Sequence, residues 1–216
     1  MSEREYEIRG GVPVEIRADD DGIQVSGHAA VFNQEADIGG MFREVIEPGA
    51  FSKSIKADDV PFLIEHEGLP LARTRSKTLK LEEDDTGLRM DATLDAGDPD
   101  VGRIVPKMRR GDLDKMSFAF RATVQEWDDT DDPPLRTIRE AKLFDVSIVT
   151  SPAFDGTDIG LRSLGKHREA AAESEEEKDA KRQSFERRKT LAKLQRIPDI
   201  KQRESALESA KRRLDN

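Results

Sequence analysis

Three residues in this chain set a chemically capable side chain inside a run that is otherwise apolar. Ser117 lies in Asp114-Lys115-Met116-Ser117-Phe118-Ala119-Phe120, directly after a short helical pattern ending in Arg109-Arg110-Gly111. His66, one of only 3 histidines, stands near the end of Val60-Pro61-Phe62-Leu63-Ile64-Glu65-His66-Glu67. Asp145 interrupts Ala141-Lys142-Leu143-Phe144-Asp145-Val146-Ser147-Ile148-Val149. A hydroxyl, an imidazole and a carboxylate are what nucleophilic attack on a carbonyl needs. The acid holds the imidazole, the imidazole takes the hydroxyl proton, and the oxygen attacks.

Each residue also has a duller reading. Strand alternation puts Val60, Phe62, Ile64 and His66 on one face and Glu65 and Glu67 on the other, so an acid that orients His66 must come from elsewhere. By pattern alone His66 also fits a surface histidine at a strand end. Ser117 fits a small residue on a half-exposed face, opposite Met116, Phe118 and Phe120. Asp145 is harder to dismiss, because aspartate is depleted in strands and an unpaired buried carboxylate is costly. Its partner is either one of the arginines or His66. Of the other histidines, His28 reads as structural and His167 sits between Lys166 and Arg168 in a charged segment.

Composition narrows the alternatives. The absence of cysteine excludes disulfides, thiolate zinc sites and a cysteine nucleophile. The histidines have no recognisable ligand spacing, and the chain has neither a glycine-rich phosphate loop nor a dinucleotide fingerprint, so no metal and no cofactor are expected. A single Trp and a single Tyr argue against a nucleic-acid platform. The first residues lack the apolar core of a signal peptide and no stretch could span a membrane, which predicts a soluble protein made in a cytosol.

The 216 residues divide by charge at Gly165. Residues 166–216 carry 15 Lys/Arg and 11 Asp/Glu, whereas the first 165 carry 21 and 34. This predicts an acidic packed domain over 1–164 and a charged helical or disordered tail over 165–216. Within the domain, strands are expected over 12–17, 22–32, 42–46, 60–67, 79–81, 88–94, 115–127 and, as one or two strands, 135–149. Asp20-Asp21-Gly22 reads as a turn and residues 35–40 as a loop. Helices are expected from Pro48-Gly49-Ala50-Phe51 through about Lys56, and from Asp98 to Gly111 with Pro106 kinking or ending the second early. The expected fold is mainly β with helices (α+β), a closed or nearly closed antiparallel barrel with helices outside. In the tail, 169–196 has high helix propensity, and Ile200, Leu207 and Leu214 recur every seven residues without a second apolar position.

Five blocks carry a family resemblance: Gly27-His28-Ala29-Ala30-Val31-Phe32-Asn33, Phe42 to Phe51, His66, Gly111 to Phe120, and Phe144 to Ala153. In this order they resemble the HK97-like prohead maturation proteases of tailed bacteriophages, over roughly residues 23–155. The resemblance implies the barrel fold of herpesvirus capsid-maturation proteases and a serine endopeptidase that cuts capsid and scaffold precursors, and often itself, inside the immature shell in the host cytoplasm. It implies Ser117 as nucleophile, His66 as base and Asp145 as third member, where the herpesvirus relatives have a histidine. Oxyanion donors are expected among the backbone N–H groups of residues 150–153, except Pro152. The implied partners are the major capsid precursor and scaffold segment as substrates, with no membrane and no specific nucleic acid. By analogy with the dimeric herpesvirus relatives, a homodimer is also implied. Glu67 where Asp is more usual, and Leu71-Ala72-Arg73 in place of a Pro-Leu-Gly-like turn, depart from the pattern beside the base. A rival from another class is a non-catalytic assembly protein acting through its helical tail.

Overall fold

The computed structural model describes residues 6–19, 22–151 and 157–195. In chain order these form β1 (Glu7–Asp19), β2 (Gly22–Val31), β3 (Ala36–Ile38), β4 (Phe42–Ile46), α1 (Ser52–Ala57), β5 (Pro61–Ile64) and β6 (Glu67–Arg73). There follow β7 (Leu79–Glu83), β8 (Gly87–Leu94), α2 (Pro99–Arg110), β9 (Lys115–Asp128), β10 (Leu135–Val149) and α3 (Thr157–Gln195). The Asp20-Asp21 turn, residues 152–156 and the heptad at Ile200, Leu207 and Leu214 lie outside the described residues.

The strands run in the order β3-β4-β10-β9-β1-β2-β8-β7, with β5 and β6 joined at β10. β1 belongs to both halves. Its first part pairs with β9, through Glu7↔Phe120 to Pro13↔Lys115, and its second part pairs with β2 from Val14↔Gly27 onward. A bulge at Gly10-Gly11 lets the strand change direction between the two. Phe118, Phe120, Val146 and Ile148 from one side meet Val25, Leu88, Met90 and Leu94 from the other in one core. The expected closed barrel is not formed. Among the described residues the sheets are open, because β3 and β7 end the path without pairing to each other.

β10 is a single long strand whose free side is filled in three stages. β4 runs parallel to its first part (Leu135↔Arg43 to Ile138↔Ile46), and β5 parallel to its last (Val146↔Phe62 to Ile148↔Ile64). Between them the carbonyl of Ala50 and the hydroxyl oxygen of Ser54 accept the N–H groups of Ala141 and Leu143, each at 2.8 Å. The backbone polar groups are thus satisfied where no strand reaches.

Two other expectations need correction. The 35–40 loop contains β3, because Gly39 and Gly40 take left-handed backbone and the Asp37 carboxylate accepts the Gly40 N–H, closing a short hairpin onto β4. Pro106 does not end α2, which continues to Arg110. The bond Pro106 cannot donate would go to Gly102, and both residues are exposed, so solvent can serve that carbonyl. The rest of α2 follows its signals: Asp98 accepts from the Asp100 N–H, Gly111 ends the helix at φ 79°, and Val101, Ile104, Val105 and Met108 are buried.

The chain divides into two units, 1–164 and 165–216. α3 starts in the first, earlier than the expected 169. Gly160 abuts the Phe42 ring, where a Cβ would come within 2.5 Å of Cζ. The Ser163 hydroxyl accepts from Gln125 Nε2 (2.7 Å) and Trp127 Nε1 (3.1 Å), and Leu164 is buried.

A buried charge quartet holds the start of β1. Arg9 Nε donates to Glu44 (2.7 Å) and its Nη2 to Glu7 (2.9 Å). Arg136 Nη1 donates to Glu7 (2.6 Å) and Glu44 (2.8 Å), and its Nε to Gln125 (2.6 Å). Two cations face two anions, so the group is neutral, yet removing one member strands a buried charge. Arg136→Met is therefore expected to destabilise the domain by about 3–5 kcal/mol, measured by urea unfolding. His28 is also structural in its contacts. Its Nε2 lies 2.8 Å from Asp84 Oδ2, and Asp84 Oδ1 takes the Thr86 and Gly87 N–H groups at the β7–β8 turn. The His28 hydrogen bond, with those from Gly87 and Thr86, lowers the Asp84 carboxyl to about 2. A depressed acid contributes stability that is present above its unfolded value and lost as pH falls through the folded one. The parent should lose melting temperature from about pH 4 down to about pH 2, and Asp84→Asn should flatten that limb.

Candidate active site

Ser117 sits in β9 with its side chain on the face opposite Met116, Phe118 and Phe120, whose burial in the core fixes which way the strand is turned. Across the sheet it is paired with Gly10 of β1 and Ser147 of β10.

Asp145 reaches the Ser117 face through a bulge. The pairing steps from Leu143↔Phe120 to Asp145↔Ala119, leaving Phe144 as an extra residue on β10. Leu143 and Val146, three residues apart, therefore both face the core, while Asp145, Ser147 and Val149 face the other way. Phe144 packs against Tyr6 with ring centres 5.5 Å apart.

His66 is not on a strand. Glu65 and His66 form a two-residue turn between β5 and β6, closed by the pair Ile64↔Glu67, with φ of 50° and 60°. Two left-handed residues in succession give the turn that suits a tight hairpin, usually built from Asn and Gly. The alternation that put Glu65 and His66 on opposite faces of one strand therefore does not apply, and the chain beyond returns as β6, which the sequence reading did not anticipate.

The turn brings His66 to the other two residues. Nδ1 lies 2.6 Å from Asp145 Oδ1, and Nε2 lies 2.7 Å from Ser117 Oγ. An ionised carboxylate at Nδ1 favours the proton there, which leaves Nε2 as an acceptor facing the hydroxyl. The Ser117 hydroxyl also lies 2.8 Å from the Arg9 carbonyl. It has one proton for two acceptors, so attack requires that proton to point to His66. Ser117, Asp145 and Ser147 are buried, and the His66 side chain is 9% exposed.

Further residues shape the site. The Ser147 hydroxyl donates to Asp145 Oδ1 at 2.7 Å, a second partner for the oxygen that faces His66. Period-two alternation from Asp145 is the signal that could have found it. Gly10 lets β1 approach, since a Cβ there would meet the Met116 carbonyl at 2.6 Å and Ser117 Cβ at 2.9 Å. Of the expected oxyanion donors, the Thr150 N–H is taken by Glu65 Oε1 at 2.8 Å, and residues 152 and 153 lie outside the described ones. An open hollow of about 480 Å³ borders Arg9, Gly10, Ala30 and Phe118, but none of Ser117, His66 and Asp145 lines it.

The arrangement can do one kind of chemistry well: deliver a serine oxygen to an electrophile while an imidazole carries the proton. No curated protein and no solved structure matches the chain. A family model does, that of the caudovirus prohead serine proteases, over residues 12–171. That span contains the whole hydrogen-bonded relay, and the chain belongs to the caudovirus prohead serine protease family.

Proposed function

We propose that this chain is a serine endopeptidase that cleaves capsid precursor and scaffold segment inside the phage prohead, with Ser117 as nucleophile, His66 as base and Asp145 as the acid that orients it. The observation that carries this reading is the unbroken hydrogen-bonded relay from Asp145 through His66 to Ser117 in a chain of this family.

The steps follow from the atoms. Ser117 Oγ adds to the scissile carbonyl as its proton passes to His66 Nε2, and Asp145 stabilises the imidazolium through Nδ1. The tetrahedral oxyanion needs N–H donors. His66 then gives its proton to the leaving amine, and water, deprotonated by the same nitrogen, releases the acyl group from Ser117. The Ser147 hydroxyl holds the Asp145 carboxylate in place through its hydrogen bond.

The 165–216 segment is proposed to recruit the protease to the growing shell by pairing with scaffold or precursor, and to be removed by self-cleavage.

Two experiments test this reading. The full chain is expressed with its cognate capsid precursor and intact masses are followed over time. The parent should generate precursor fragments, Ser117→Ala should be slowed by about six orders of magnitude, and Asp145→Asn by about four. Equal, stable masses in parent and Ser117→Ala beside a shell-forming partner would favour a non-catalytic assembly protein instead. A chain ending at Gly165 should stay folded but fail to enter assembling shells, and unchanged incorporation would remove the role given to the tail.

A further inference from the structure

The histidine's turn has little of its own to hold it. Glu65 and His66 both take left-handed backbone, a conformation uncommon for residues other than glycine. Beyond the turn the β5–β6 pairing is loose, for it skips from Ile64↔Glu67 to Phe62↔Ala72 and leaves Gly68, Leu69 and Pro70 exposed. A ring mounted there would wander unless something tied the turn to the strand that carries Asp145.

Glu65 makes that tie twice. Its N–H donates to the Ile148 carbonyl at 3.0 Å, extending the parallel β5–β10 pairing by one residue. Its Oε1 then accepts the Thr150 N–H at 2.8 Å, just past the end of β10. The two bonds fasten the residue before His66 at two points of the strand that holds Asp145. Glu65 does not touch Ser117, and it is exposed. Packing therefore gives no reason for a glutamate there, whereas the reach of its carboxylate to Thr150 does.

We infer that Glu65 is a positioning residue: its carboxylate locks the His66 turn to β10 and so sets the imidazole between Asp145 and Ser117. This rests on the triad reading above and adds a residue to it. What the tie supplies is registration. The Nδ1 and Nε2 contacts of 2.6 and 2.7 Å both depend on where the turn stands along β10. A displacement of about 1 Å in a catalytic group can cost about a hundredfold in rate.

Two variants separate positioning from structure. Glu65→Gln keeps an oxygen acceptor at the same reach. Glu65→Gly removes it while relieving the left-handed backbone, so the fold should be no less stable. Parent, both variants and Ser117→Ala are compared for melting temperature, for the rate of labelling by a fluorophosphonate, and for the far-downfield NMR proton of His66 Nδ1. The expected result is Glu65→Gly melting at or above the parent, labelling roughly ten- to a hundredfold more slowly, with its Nδ1 proton broadened, and Glu65→Gln within about twofold of the parent.

Glu65→Gly with the parent's rate and resonance would overturn the inference. So would an equal loss in Glu65→Gln, which would show that charge matters and not the bond to Thr150. If parent and Ser117→Ala are alike unlabelled, the triad reading fails, and the His66 resonance alone then decides whether Glu65 holds the ring.

Discussion

The site depends on one irregularity in one strand pair. Had β9 and β10 paired without a bulge, the parity that buries Leu143 would have sent Asp145 toward the core with it. The extra residue, Phe144, resets the count. Val146 and Ile148 then fill the core, and Asp145 and Ser147 emerge beside Ser117. A buried carboxylate is tolerated there because it has two partners on its Oδ1, the His66 ring and the Ser147 hydroxyl.

The elements around this pair serve it from both sides. On one side β5 lies parallel to the last residues of β10 and delivers the histidine in a tight turn. On the other, β1 comes close enough for its Arg9 carbonyl to meet the Ser117 hydroxyl, a closeness that Gly10 permits. The same arginine sends its side chain to the opposite face, into a neutral quartet with Glu7, Glu44 and Arg136. Backbone and side chain of one residue thus link the Ser117 hydroxyl to a buried, mutually paired cluster of charges.

Much of this was readable from residue types. The β7–β8 hairpin, the capped α2 with its apolar stripe, and the faces of β9 all followed from period and capping signals, because those elements are decided by local patterning. Asp145 stood out because a carboxylate in an apolar strand needs a partner, whereas Ser117 and His66 each also fitted a duller pattern and were singled out by the family resemblance. The turn at Glu65-His66 could not be seen: neither residue marks a hairpin, and the left-handed backbone is imposed by the bonds to Ile148 and Thr150, distant in sequence. The contacts of Arg9 and Ser147 with the site depend likewise on which strands become neighbours. The barrel failed for the same reason, since closure is decided by whether β3 and β7 meet, and they do not.

The central claim is that Ser117, His66 and Asp145 act as one unit. The most direct measurement is the precursor-cleavage rate of His66→Ala, Ser117→Ala and the double variant. Residues that share one proton path are strongly non-additive, so the account predicts that the double variant is no slower than Ser117→Ala alone. Losses that multiply, with His66→Ala slowing a Ser117→Ala chain further, would show that the two contribute separately and would contradict it.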